Sequence, residues 1–240
     1  MRTRVAFSLL FLVAASPAGA GHGSRHRPSS TVVLDGTPCA VRWTDGDTFR
    51  ILDGALRGLS ARVVGYDTLE SYGPVHRWGG WSREELLRIA KAATPIAAAG
   101  RWTCANAGGV DRYKRLLVSC PDAAAALVGR GLAMVFAVDA PADARLHALQ
   151  REAQRRGEGM WAKGVPSAIP TSLHSAAENP RGRAYDRVVD TATGAAMRRE
   201  HAHVYATCEE VCFGGGARRA CMVYVPFERR HRHRPRCLLP

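Results

Sequence analysis

The sequence predicts an α+β protein: a five-stranded, OB-fold-like β-barrel with about three helices, followed by a small cysteine-containing C-terminal unit. Three observations support this prediction. Three short segments rich in β-forming residues precede a helical segment that opens on a capping-box motif, and two more follow it. Two further helical patterns come next, and beyond residue 165 the composition shifts to Ser, Arg, His and Gly. This order suits a small Greek-key barrel with helices packed around it.

The N-terminus has the layout of a secretory signal peptide. Two arginines precede the apolar run 5–15, and the small residues 18–20 follow it. The alternative, a transmembrane anchor, needs roughly 20 apolar residues, and neither this run nor any later one is long enough. We therefore expect a signal peptide at 1–20, a flexible Gly-, His- and Arg-rich leader at 21–34, no membrane span, and a secreted or periplasmic protein.

The strands are predicted from short runs of β-branched and aromatic residues between turn signals. For the barrel these runs are residues 40–43, 48–52, 60–66, 101–104 and 116–120. Two more runs lie in the C-terminal segment, at 203–208 and 220–227, on either side of three consecutive glycines.

The helices are predicted from capping residues and apolar periodicity. Ser82 and Glu85 have capping-box spacing and open the first helix. Asp122 is expected to cap an alanine-rich second helix. The third carries its apolar residues on one face and ends at Gly157.

The charge balance points to a polyanionic partner. The chain has 34 Lys and Arg against 21 Asp and Glu, a formal net charge of +13, and nearly all of its basic residues are arginine. Guanidinium groups bind phosphate in a bidentate way, which ammonium groups do not. A high-GC codon usage explains the excess of arginine over lysine equally well, but it does not explain the net charge.

The seven cysteines of an exported chain are expected to be mostly paired. Cys104 and Cys120 fall at corresponding points of adjacent predicted strands and should form one bridge, which leaves Cys39 as the odd thiol. The other four should form two bridges in the C-terminal segment: Cys208, Cys212, Cys221 and Cys237. A zinc site that combines these four with His201 or His203 is the alternative.

Four acidic residues fall at the ends of neighbouring strand segments: Asp45, Asp47, Asp67 and Glu70. Alone, each is typical of a solvated turn. Together they need a cation or protons, because two carboxylates about 4 Å apart repel by roughly 4 kcal/mol at an effective dielectric of 20. A ligand set of oxygens without His or Cys favours a hard ion, Ca²⁺ or Mg²⁺.

Two arginines, Arg62 and Arg115, are placed to face the same cation. One interpretation is an ion pair with the carboxylates. The other is a clamp on a phosphate whose remaining oxygens bind the metal. Spacing alone leaves both open.

Several motifs follow one another in a recognisable order. They are Asp45-Gly46-Asp47-Thr48, the run at 62–70, Asp111-Arg112-Tyr113-Lys114-Arg115, Gly131-Leu132-Ala133, and finally Ala153-Gln154 with Gly159-Met160-Trp161. Over residues 38–163 this succession resembles the staphylococcal nuclease (thermonuclease) family. The resemblance implies a domain of that type at 35–165.

The resemblance also implies roles for individual residues. Asp47 and Asp67 would bind Ca²⁺ through their carboxylates and Thr68 through its backbone carbonyl, with Asp45 as a supporting acid. The remaining roles concern water and substrate. Glu70 would orient or deprotonate the attacking water, Arg62 and Arg115 would hold the scissile phosphate, and Arg112 and Tyr113 would lie near the terminal phosphate and base of the nucleotide.

The chain departs from the family pattern at two places. Leu69 stands where the family usually has proline, which removes one backbone restraint beside Thr68. Phe136, Ala137 and Val138 occupy the region where the prototype has aromatic residues that flank the base. The tryptophans of the loop 72–81 either replace this stacking surface or cover the barrel.

The resemblance implies a secreted, calcium-dependent nuclease that hydrolyses phosphodiester bonds of DNA, RNA or both and needs no obligate protein partner. One alternative is a catalytically silent nucleic-acid-binding OB-fold module. Another is a metal-storage or cell-surface adhesion protein built around the Cys- and His-containing C-terminal segment.

The C-terminal segment, residues 166–240, is expected to help hold substrate without doing chemistry. It ends in a basic run: Arg229, Arg230, His231, Arg232, His233, Arg234 and Arg236. Its deletion is then expected to flatten the salt dependence of binding and spare the rate at saturating substrate. The alternative is a disulfide-stapled surface module whose charge is incidental or serves the cell envelope.

Overall fold

A computed structural model describes residues 30–179, 181–230 and 233–238. The predicted signal peptide, most of the predicted leader, and His231 and Arg232 of the basic run lie outside these residues. The described part contains fourteen strands: β1 (Ser30–Leu34), β2 (Thr37–Trp43), β3 (Thr48–Ile51), β4 (Ser60–Val63), β5 (Gly65–Thr68), β6 (His76–Trp78), β7 (Trp102–Val110), β8 (Leu116–Ser119), β9 (Ala133–Phe136), β10 (Ala168–Ser172), β11 (Ala184–Asp190), β12 (Ala196–His201), β13 (Glu210–Phe213) and β14 (Ala220–Val223).

Three α-helices accompany the strands: α1 (Arg83–Ala99), α2 (Pro121–Gly129) and α3 (Ala144–Arg156). The capping box of α1 is present, since Ser82 Oγ accepts from the Glu85 amide and Glu85 Oε2 accepts from the Ser82 amide. Helix α3 ends, as predicted, at Gly157 in the left-handed conformation. The alanine-rich helix α2 is present as predicted, but the predicted cap was wrong, because the N-cap is Cys120 and no side chain caps it.

The barrel is closed and has six strands in the order β1-β2-β3-β4-β8-β7. The prediction of an OB-fold-like barrel with three helices is confirmed, with one strand more than expected. The extra strand, β1, consists of residues that we assigned to the leader. It pairs antiparallel with β2 and parallel with β7, and Val32 and Leu34 alternate into the core. Ser30–Leu34 are therefore part of the barrel and not of a leader.

The predicted strand 60–66 divides at Val64, and this division creates one wall of the site. β4 stays in the barrel beside β8, whereas β5 leaves it to pair with β9. Gly65 lies at the division with a φ of 91°, in the region that favours glycine. The turn places Asp67, the acidic residue of β5, over the end of the barrel.

The C-terminal segment is not an independent unit. One of its sheets, β13-β14-β6, takes its third strand from the tryptophan-containing loop of the first domain. A single apolar cluster joins Trp78 and Leu86 to Ile169, Val189 and Ala220. The predicted strand at 203–208 was wrong, because that stretch is irregular and the chain pairs only from Glu210 onward.

The cysteine pairing follows the prediction. Cys104 bonds Cys120, and Cys39 is a buried free thiol. The C-terminal cysteines form two bridges, Cys208–Cys237 and Cys212–Cys221. These bridges occupy the thiols that the zinc alternative required.

The tryptophans of the loop 72–81 serve packing. Trp78 is buried and its Nε1 donates to the carbonyl of Gly164, while Trp81 Nε1 donates to the carbonyl of Met160. Lys163 lies over the Trp81 ring. This arrangement favours the covering role over base stacking.

Among the described helices, none combines the length and apolar character that crossing a membrane requires.

Candidate active site

A cavity of about 990 Å³ opens at the end of the barrel where β3, β4, β5 and β8 meet. All nine residues singled out from the sequence lie on its wall or directly beneath it: Asp45, Asp47, Arg62, Asp67, Thr68, Glu70, Arg112, Tyr113 and Arg115. Its far wall comes from the C-terminal segment, through Thr171, Ser172, His174, Arg187, Phe227 and Arg230. The structure therefore brings the predicted set together.

Asp47 is the most rigidly held carboxylate. It is 2% exposed, and its Oδ2 accepts from the Thr68 amide at 3.1 Å and from Thr68 Oγ1 at 3.0 Å. Its Oδ1 accepts from Thr48 Oγ1 at 2.9 Å. The turn before it requires glycine, because a Cβ at Gly46 would lie 2.6 Å from the Ala93 side chain. Packing of α1 against this turn thus sets the position of Asp47.

Arg62 joins two carboxylates. Its Nη1 lies 2.5 Å from Asp47 Oδ1, and its Nη2 donates to Asp67 Oδ1 at 2.8 Å. Of the two interpretations left open by the sequence, the ion pair is therefore present. It does not exclude the phosphate clamp, because Arg62 also lines the cavity and keeps 18% of its side chain exposed.

The carboxylate cluster has more negative charge than Arg62 offsets. Burial raises the pKa of Asp67 to about 7 despite the nearby guanidinium. Burial, together with the charge of Asp47, raises the pKa of Asp45 well above its usual range. Only Asp47 is shifted down: burial opposes its ionisation, but Arg62 and several hydrogen bonds lower its pKa to about 2. The cluster therefore favours a further positive charge.

Arg115 is oriented by Asp111. Its Nε and Nη2 each lie 2.7 Å from Asp111 Oδ2, and its Nη1 donates to Thr48 Oγ1 at 3.2 Å. Asp111 Oδ1 also accepts from the amides of Tyr113 and Arg115, which closes a tight turn. Asp111 belongs to the motif at 111–115, but no role was predicted for it from the sequence. The signal was its spacing, since an aspartate that accepts from amides two and four residues on is typical of a turn.

Glu70 lies opposite a basic residue of the C-terminal segment. Burial raises its pKa, and the largest opposing influence is Arg230. Both side chains flank Gly73: a Cβ there would lie 3.6 Å from Glu70 Oε2 and 3.4 Å from Arg230 Cδ. Arg230 is fixed by donating to the carbonyls of Val225 and Leu173. The sequence marked Arg230 only as one member of a basic run.

The two departures from the family pattern have structural counterparts. Leu69 is 1% exposed and belongs to the apolar cluster that the first domain shares with the C-terminal segment. Its side chain therefore anchors the backbone beside Thr68 by packing. Phe136 is largely buried, lines the cavity, and has the Arg187 guanidinium 5.9 Å from its ring centroid.

Arg112 and Tyr113 lie at the outer rim of the cavity. The Arg112 guanidinium lies 4.7 Å from the Tyr113 ring centroid. It also donates to Tyr185 Oη at 2.9 Å and contacts His174 Nε2 at 3.1 Å. Tyr113 is 53% exposed. The C-terminal segment therefore continues the rim.

Comparison with known proteins identifies one family. Residues 60–163 match the family described as staphylococcal nuclease homologue. The matched stretch contains Arg62, Asp67, Glu70 and Arg115, and Asp47 lies ahead of it. A search of curated proteins gave no significant match.

Proposed function

We propose that this chain, whose residues 60–163 form a staphylococcal nuclease homologue domain, is a calcium-dependent nuclease that hydrolyses phosphodiester bonds of DNA, RNA or both. A nuclease-type function and a nucleic-acid substrate accord with the family. The observation that carries the proposal is one cavity that combines a carboxylate cluster, a separate glutamate and two oriented arginines.

The donor set fits calcium. Asp47 and Asp67 offer carboxylates, the Thr68 carbonyl offers a third oxygen, and Asp45 supports the site. Only oxygens are present, as a hard cation prefers, and the cluster favours more positive charge than Arg62 supplies. The family is generally calcium-dependent. Bound there, the ion would supply Lewis-acid polarisation of the phosphate oxygens.

The chain's own residues supply the remaining steps. Glu70, half-buried with a raised pKa, would orient a water and accept its proton as the water oxygen bonds to phosphorus, in line with the ester P–O bond that breaks. The leaving ester oxygen takes a proton from solvent and departs as an alcohol. Arg62 and Arg115 would hold the phosphate and balance the charge that grows in the transition state. Arg115 keeps two nitrogens on Asp111, so its Nη1, which contacts only a threonine hydroxyl, is the atom free to meet substrate.

Two rival functions have less support. A silent binding module explains the fold but not an intact set of catalytic residues in one cavity. A metal-storage protein built on the C-terminal cysteines would need free thiolates, and all four cysteines are bridged.

Arg62→Ala and Arg115→Ala test the catalytic assignment. Each is expected to lower nuclease activity by roughly 10²–10³-fold, because each contact strengthens in the transition state. The lysine variants should recover only part of it, since one ammonium group cannot reach the carboxylates that orient the guanidinium and the phosphate at the same time. The measurement is degradation of plasmid and of labelled RNA with calcium or with a chelator.

Arg50→Ala, an exposed change on β3, is the matched control. Wild-type activity that persists in the chelator would overturn the metal dependence. Activity within tenfold of wild type in either alanine variant would overturn the arginine roles. Export after signal-peptide removal is part of the same proposal, and an exported protein that retains residues 1–20 would contradict it.

A further inference from the structure

Five side chains form a line of alternating guanidinium groups and aromatic rings, here termed the rim strip. It consists of Arg115, Tyr113, Arg112, Tyr185 and Arg198. Successive guanidinium-to-centroid distances are 5.3, 4.7, 6.0 and 4.9 Å. The strip begins inside the cavity at Arg115 and ends on β12 of the C-terminal segment.

We propose that Tyr185 and Arg198 bind a single-stranded stretch of the nucleic-acid substrate outside the catalytic cavity. This inference rests on the proposed nuclease function and assigns a substrate-binding surface to the C-terminal segment.

The pairing of β11 with β12 sets which face carries the strip. Arg187 lies directly opposite Arg198, so Tyr185, Arg187 and Arg198 share one face of the sheet. Arg187 lines the cavity, which shows that this face is turned toward the site. On β11 the opposite face is buried, through Ala184, Asp186 and Val188, whereas on β12 it carries the exposed Arg199.

The chemistry of the strip matches an unpaired strand. Aromatic rings stack on bases, guanidinium groups bind phosphates, and alternation of the two serves a strand whose bases are free of a duplex. A duplex would present its phosphates to the arginines but would keep its bases away from the rings. Tyr113 is exposed, whereas Tyr185 is half-buried with the His174 ring centroid 5.5 Å from its own, so Tyr113 offers the larger surface to a base and Tyr185 a smaller one.

The acidic neighbours do not offset the strip. Glu200, which lies opposite Tyr185 on β12, forms an ion pair with Arg183, with 3.9 Å between their charged atoms. Arg112, beside His174, Tyr113 and Tyr185, is not among the described ion pairs. Arg198 likewise has the Tyr185 ring as its described contact.

The basic run is a poorer candidate for strand binding. The Arg230 guanidinium is turned inward, onto the Val225 and Leu173 carbonyls. Arg234 donates to the Leu238 carbonyl. Arg230 lines the cavity but is held by these carbonyls, so the sheet face of β11 and β12 is the better candidate for binding a strand beyond the cavity.

The test compares Tyr185→Ala and Arg198→Ala with Arg199→Ala in the full chain. Arg199 is the matched control because it is the next residue on β12, is equally exposed, and lies on the other face. Binding of a fluorescent oligo-dT strand and of a duplex of equal length is measured by anisotropy over a salt range, in chelator so that neither is cut.

Tyr185→Ala should weaken single-strand binding about tenfold, as expected from loss of one stacking contact. Arg198→Ala should reduce the slope of log affinity against log salt by about 0.7. Arg199→Ala should change neither. Tyr185→Phe retains the ring and should keep the affinity, which guards against a fold defect in the alanine variant.

The outcomes separate this proposal from the nuclease function. If wild type cuts nucleic acid with calcium but all three alanine variants bind alike, the strip only fixes the C-terminal segment to the first domain and the inference is wrong. Equal losses on duplex and single strand would also overturn it. If wild type cuts nothing, the nuclease function fails, whatever the binding data show.

Discussion

Arg62 is expected to stabilise the protein as well as serve the reaction. It is the guanidinium that bridges Asp47 and Asp67, with contacts of 2.5 and 2.8 Å. Removing one partner of a buried ion pair costs about 3–5 kcal/mol, and the partial exposure of Arg62 favours the lower end, about 3 kcal/mol. For a domain of this size, that loss lowers the melting temperature by roughly 6–12 °C.

The assay is urea unfolding of wild type, Arg62→Ala and Arg62→Lys in chelator and then in millimolar calcium. Lysine should recover part of the loss, because its point charge reaches one carboxylate at a time. Calcium should stabilise Arg62→Ala more than wild type, since the ion would supply the positive charge that the variant lacks. Arg50→Ala should stay within about 0.5 kcal/mol of wild type.

Two results would refute this reasoning. One is an unfolding free energy of Arg62→Ala in chelator that equals that of Arg50→Ala. The other is equal stabilisation of wild type and Arg62→Ala by calcium. Either would mean that Arg62 does not compensate the charge of the carboxylates.

Two further predictions concern the junction with the C-terminal segment. Burial lowers the pKa of His76, whose Nε2 lies 3.0 Å from the Pro170 carbonyl, to about 4. In the unfolded chain the pKa of this histidine is near 6.5, so between pH 6.5 and pH 4 only the unfolded chain gains the proton. The unfolding free energy therefore decreases by about 1.4 kcal/mol for each unit by which the pH is lowered in this range. Urea titrations at pH 7 and at pH 5 measure this effect. Between these two pH values, the unfolding free energy of His76→Gln should fall by about 2 kcal/mol less than that of wild type. An equal acid loss in wild type and His76→Gln would contradict the assignment. Deleting residues 166–240 should abolish cooperative melting, because Ile169 and Val189 complete the core around Trp78. This replaces the expectation that the truncated enzyme keeps its rate, and a truncated chain that melts cooperatively near the wild-type temperature would restore it.

The elements that sequence analysis located correctly depend on short-range signals. The capping box at Ser82 and the left-handed Gly157 act within one helical turn, so neighbouring residues suffice to predict them. Strand β1 was missed although its signal is local: Asp35-Gly36 forms a two-residue turn with positive φ at both positions, and β1 pairs antiparallel with β2 across it. The division at Val64 was missed because β5 leaves the barrel only when β9 is there to receive it.

The residues of the candidate site likewise fall into those that local sequence motifs predict and those that only the packing of distant segments reveals. The carboxylates and arginines were found because they stand in ordered motifs, and the cavity brings them together, while their individual roles remain predictions. Arg230, Tyr185 and Arg198 belong to no motif. They reach the site only through packing of the C-terminal sheets, which local pattern does not encode.

The pairing of β6 with β14 has a consequence for the timing of folding. Trp78 pairs with Ala220, and roughly 140 residues separate the two along the chain. Forming this contact therefore requires closure of a long loop, which costs conformational entropy. β14 is synthesised about 140 residues after β6, so this sheet cannot form before Val223 has been made. The chain is therefore expected to acquire activity only after that point, whereas a self-sufficient N-terminal barrel would become active as soon as its own strands and helices had emerged.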